Sequence, residues 1–207
     1  MVGLQSQHFS SRAIVGIGSF LLTLIALQIT RQTSGYPART PVRLWPRLLI
    51  TQLRRDINEN NTLRYGWAIT ALCSISVSGL HFGGLYFDIY TAVSWWDILT
   101  HSLSGFGVAA VLGLTFQSSI RSTTYWVIPA VFAFGTGFEV YEFLFKTFWY
   151  NWTLRFYLLD TVIDLIVNTT GAIAFVVGVH ILREVNILPD SADDNPMTAK
   201  LSSRRNR

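Results

Sequence analysis

Apolar residues gather along this chain in five long windows, roughly 13–30, 66–87, 96–117, 124–148 and 157–182, divided by shorter polar stretches. A helix needs about 20 mostly apolar residues to cross the hydrocarbon core of a bilayer, and every window is of that order. The pattern predicts an all-α integral membrane helical bundle with about five transmembrane helices. The first window, AIVGIGSFLLTLIALQIT, follows Arg12 much as the core of a signal peptide would, yet no small-residue cleavage site comes after it. It is therefore read as a retained helix. After it, YPARTPVRLWPRLLITQLRRD breaks at prolines and then alternates arginine with Leu, Ile and Trp, the composition of a segment lying on an anionic leaflet.

The expected layout is a short outer N-terminus over 1–12 and a first transmembrane helix over 13–30. A basic cytoplasmic loop with the interfacial segment spans 31–65, a four-helix membrane core 66–182, and a disordered cytoplasmic tail 183–207. The tail is rich in Asp, Asn, Ser and Arg, with too little apolar surface to fold alone.

Composition supports the class: 50% of residues are hydrophobic and 14% charged. The single cysteine, Cys73, sits in an apolar run, which excludes a disulfide framework and a cysteine metal site. The net charge of +4 is unevenly placed. Thirteen of the 16 Lys and Arg fall in the first loop (Arg31 to Arg64), at Arg121 and in the tail, leaving Arg12, Lys146 and Arg155 opposite. The positive-inside rule then puts the N-terminus outside and the C-terminus in the cytoplasm of a multi-pass cell-membrane protein. Nucleic acid is excluded as a partner, because no basic, aromatic-laced folded domain is present to bind it.

Ionisable residues inside the windows are costly in lipid and are expected there only with a partner or a task. His81 closes the second window; Asp97 and His101 open the third in WWDILTHSLSG; Glu139 and Glu142 lie late in the fourth in FGTGFEVYEFLF. Asp160, Asp164 and Asn168 begin the fifth in LLDTVIDLIVNTTGA. With spans alternating in direction and a rise of ~1.5 Å per residue, all eight fall in one layer, about 3 to 15 Å below the outer surface. His180 falls at the other end and is excluded. Spacings of three and four put each set on one helical face, turned away from lipid. Gly79 and Gly83 form a GxxxG around His81, and Gly105, Gly135, Gly137 and Gly171 flank the polar stripes, spacing that favours close helix approach. Glu59, Asp88 and Glu184 are read as solvated.

Taken in order, HFGGLYFDIY, WWDILTHSLSGF, FEVYEF and LDTVIDLIVNTTGA resemble the YjdF-type family of uncharacterised multi-span prokaryotic inner-membrane proteins. That family is similar in its Asp with a His four residues on, its glutamate pair in an aromatic setting, and its WDT-x-x-D helix, where Leu159 here replaces the aromatic. The likeness covers about residues 79–175 and implies a fold without a settled activity.

Five ionised carboxylates in one thin, poorly hydrated slab require compensation. Divalent cations would supply it, with His81 and His101 as nitrogen ligands; mixed carboxylate and imidazole donors suit Zn, Mn or Fe. The pattern lacks the repeated Glu-x-x-His of ferritin-like di-iron bundles. In an enzyme of this kind the ion activates water or polarises a substrate, and Glu139 or Asp164 serves as general base on a lipid or lipid-linked substrate. Other readings stay open. Lys146 and Arg155 are positioned to cancel part of the charge, and neutral acids would form a structural network. Asp97 also suits a helix N-terminus. An ion- or proton-coupled transporter and a non-catalytic subunit bound to a membrane-complex partner are the alternatives, the former weakened by the lack of an inverted repeat.

Overall fold

A computed structural model describes residues 2–59, 62–117 and 120–185, all of it helix, turn or irregular chain. Helix α1 (Val2–Gln32) is followed by a 3-10 turn at Val42–Leu44 and α2 (Trp45–Asn58). Then come α3 (Leu63–Tyr86), the single turn α4 (Ile89–Ala92), α5 (Trp96–Phe116), α6 (Ile120–Phe145), a 3-10 turn at Phe148–Asn151, and α7 (Leu154–Glu184). Helices α1, α3, α5, α6 and α7 each carry a segment long and apolar enough to cross a membrane. Their ends depart from the hydropathy windows where local chemistry intervenes. α1 begins at Val2, well ahead of its apolar window, and α6 stops at Phe145, before the window's end. α7 begins early because the Thr153 hydroxyl accepts a hydrogen bond from the Phe156 amide at 3.2 Å, capping the first turn. The tail expected to be disordered lies, from residue 186 on, outside the described residues.

Side by side the spans run α1, α6, α7, α5, α3, with α5 against α7 forming the most extensive contact. That crossing is close for a physical reason. A Cβ on Gly105 would press into the backbone carbonyl of Asn168, and one on Gly171 into the backbone carbonyl of Ser102. Without a hydrophobic drive between helices in lipid, such backbone approach is what supplies packing energy. The GxxxG expected to act around His81 does not do so: a Cβ on Gly79 or Gly83 would meet nothing from another element within 4 Å. Gly84, one residue and about 100° further round the helix, is the glycine that meets neighbours, Trp96 and Tyr90. Apolar side chains elsewhere point outward, Leu72, Ile75 and Phe82 among them, as expected where the solvent is lipid.

At the arginine-rich end, Trp126 is fully buried, with Trp45 at 6.3 Å and Phe116 at 5.3 Å between ring centroids. This fastens α2 to the spans. Beside it Asp56, with no solvent exposure, accepts hydrogen bonds from Trp67 Nε1 at 2.9 Å, Gln117 Nε2 at 2.8 Å and Arg55 Nη2 at 3.1 Å. Arg55 Nη2 also donates to Gln117 Oε1 at 2.6 Å. A buried carboxylate is tolerated only with such saturation, each charge-assisted bond being worth about 1.5–3 kcal/mol. At the opposite end, Val15 packs with Trp149 and Tyr157, and Arg12 donates to the Trp152 carbonyl.

Candidate functional site

Three side chains meet near the start of α5. Asp97 occupies its first turn, His101 lies one turn on, and Asp164 comes from the facing surface of α7. His101 Nε2 stands 3.4 Å from Asp97 Oδ1 and 3.9 Å from Asp164 Oδ2. One donor atom from each of the three lies within 4.8 Å of the others. Oxygen and nitrogen ligands about 2.0–2.2 Å from a tetrahedral ion stand roughly 3.3–3.6 Å apart, so small side-chain adjustments would close this set on a cation. His101 and Asp164 are buried, while the Asp97 side chain is 36% exposed.

The three line a cavity of about 900 Å³ bounded by α3, α5, α6 and α7. His81, Glu142 and Asp160 lie on its walls, and Asp88, Lys146 and Asn151, from the segments joining the helices, stand at its mouth. Asp88, expected to be simply solvated, is exposed yet part of this lining, held by a left-handed backbone at φ 56° between α3 and α4. Lys146 lies 5.8 Å from the centre of the Tyr141 ring, within cation–π range, rather than against Glu142.

His81 is oriented from outside the spans. Its Nδ1 is 2.9 Å from the Tyr90 hydroxyl, which donates to Thr100 Oγ1 at 3.4 Å; Thr100 donates to the Asp97 carbonyl at 2.9 Å. Tyr90 thus links the His81 ring to the first turns of α5. Burial pushes the Tyr90 hydroxyl above its ordinary pKa, so it remains a proton-bearing phenol at neutral pH. The Phe138 ring sits between the two histidines, 5.7 Å from His101 and 6.1 Å from His81.

Two of the expected residues lie apart. Glu139, 2% exposed, is not on the cavity wall. Its Oε2 accepts a hydrogen bond from Thr161 at 3.0 Å, and Oε1 has no partner among the described residues. Asn168 is buried deeper along α7, wedged against Gly105 and Gly135, where it packs helices together. His180 is exposed, outside the cavity. The reading of the sequence missed Tyr90, Thr100, Thr161 and Phe138. Thr100 carried a signal, sitting three residues after Asp97 on the same face; Tyr90, in a connecting turn, carried none.

Fold and cavity define a multi-pass helical membrane protein with a buried acid and histidine cluster at one end. Residues 12–184 match the family described as "Predicted membrane protein (DUF2238)", and the chain belongs to that family. Nothing among curated proteins or solved structures matches it.

Proposed function

We propose that Asp97, His101 and Asp164 hold a divalent metal ion, with Zn, Mn or Fe the best suited, and that the cavity above it supports hydrolytic or lipid-directed chemistry. The observation carrying this reading is the convergence of three donor atoms within 4.8 Å at the base of a large cavity. A bound ion would polarise a substrate oxygen or activate water. With Asp164 engaged as a ligand and Glu139 off the wall, Asp160 and Glu142 are the carboxylates left on the walls for the general-base role. Metal analysis of detergent-purified protein, melted with and without chelator, tests the site. About one equivalent of transition metal is expected, with a chelator-sensitive melt, because a ligand at 100 times its Kd stabilises by about 2.7 kcal/mol. Metal-free, chelator-insensitive protein would replace this reading by a structural polar network or proton relay.

The same proposal places the cavity mouth outside the cell membrane and the C-terminus in the cytoplasm, as in a YjdF-type prokaryotic protein. The bias of thirteen against three basic residues supports that orientation. In a Cys73→Ser background, single cysteines at Ser94 and Asn151 are expected to react with an impermeant maleimide added to intact cells. Labelling of both only after the membrane is opened would reverse the orientation.

A further inference from the structure

The cavity is not sealed from the bilayer. Ile98 on α5 and Phe156, Leu159 and Ile163 on α7 all line it, and each is 45 to 51% exposed although it sits on a membrane-spanning helix. The three α7 residues, spaced three and four apart, form a ridge that continues through exposed Ile166 toward the middle of the span. Asp160 and Asp164 lie on the adjoining face of the same helix. A polar chamber whose side wall runs into an apolar ridge fits an amphiphile, head group inside and acyl chain along the ridge. A water-soluble ligand would use only the mouth.

Charge decides the head group. The lining carries five carboxylates, Asp88, Asp97, Glu142, Asp160 and Asp164, and one lysine, Lys146. A divalent ion at the base would offset two, leaving Asp88, Glu142 and Asp160 facing Lys146. A purely anionic head group would meet three carboxylates, and a purely cationic one would sit beside the ion and Lys146. A group carrying both signs matches the wall, since Lys146, just past the end of α6, follows Glu142 by four residues, its amide bonded to the Glu142 carbonyl at 2.9 Å, and Asp160 lines the same cavity from α7. The Tyr90 and Trp152 rings in the same lining favour an ammonium.

We propose that the cavity takes, sideways from the bilayer past Ile98 and the Phe156 to Ile163 ridge, the head group of a zwitterionic phospholipid bearing an ammonium. The phosphate faces Lys146 and the ion, and the ammonium faces Glu142 and Asp160. The placement of the phosphate and the exclusion of a purely cationic head group rest on the metal-site reading; the ammonium site at Glu142 and Asp160 does not.

The test uses the full chain in phosphatidylglycerol nanodiscs doped with chain-spin-labelled phosphatidylethanolamine, phosphatidylglycerol or diacylglycerol, with the immobilised fraction read by electron paramagnetic resonance. The ethanolamine lipid is expected to be held about tenfold more strongly than the other two, a difference of about 1.4 kcal/mol. The preference should collapse in Ile163→Trp, which fills the opening from a lipid-facing position, and in Asp160→Asn. Equal retention of the three lipids, or a preference unchanged in both variants, overturns the proposal. So does displacement by free phosphoethanolamine at the concentration at which dioctanoyl phosphatidylethanolamine acts, because the chain would then contribute nothing. Metal content is measured on the same samples. Equal retention at full metal content removes this proposal and leaves the metal site standing; a tenfold preference in metal-free protein upholds head-group recognition and removes the metal reading.

Discussion

Gly105→Ala and Gly171→Ala are each expected to lower the thermal midpoint of the detergent-solubilised protein by about 4–12 °C. Alanine improves helix propensity by about 1 kcal/mol over glycine, but here the new methyl meets backbone carbonyl oxygens across the α5 and α7 crossing. Backbone does not swing aside as a side chain does, so the overpacking cost lies at or just beyond the top of the usual 1–3 kcal/mol, about 3–4 kcal/mol. A net loss of about 2–3 kcal/mol, at roughly 2–4 °C per kcal/mol for a chain of this size, gives the range. Gly79→Ala is the control: with nothing within 4 Å, it should melt at or slightly above wild type. Matching melts for Gly105→Ala and Gly79→Ala would show that the helices do not cross at Gly105.

The second large effect separates ligands from neighbours at the cavity base. On the metal-site proposal, Asp164→Asn, which would remove an anionic ligand, and His101→Ala, which would remove the imidazole, should each weaken Zn²⁺ binding by more than the 10–100-fold typical of losing a supporting residue. Asn168→Ala should leave Zn²⁺ affinity unchanged while lowering stability, because the amide packs against Gly105 and Gly135 away from the cavity. Competition titration against a chromophoric chelator reads the affinities. Full affinity in Asp164→Asn, or an equal loss in Asn168→Ala, would remove Asp164 from the ion.

Hydropathy carried the architecture, because lipid enforces long uninterrupted apolar helices, and the five spans lie within a few residues of their windows except at α1, whose amino end reaches beyond the apolar run. Helical periodicity also carried which polar residues share a face: Asp97 with His101, Asp160 with Asp164. It did not carry how each helix is rotated against its neighbours. A rotation set by side-chain packing separates Glu139, turned to Thr161, from Glu142, on the cavity wall, although both were expected in one cluster. The same indifference made Gly79 and Gly83 look like a packing motif. Asp56 was invisible for another reason: its partners Trp67, on α3, and Gln117, just past the end of α5, come from distant parts of the chain, and nothing in its own segment marks it as buried.

The Asp56 network also sets an order of events during synthesis. Gln117, 61 residues beyond Asp56, ends α5 in a left-handed turn at φ 45° that aims its amide back toward α2. Arg55 and Trp67 precede α5 in the chain and can bond Asp56 before it, whereas the Gln117 donor exists only once α5 has been made. The network around Asp56 is therefore complete only once the third span is in place.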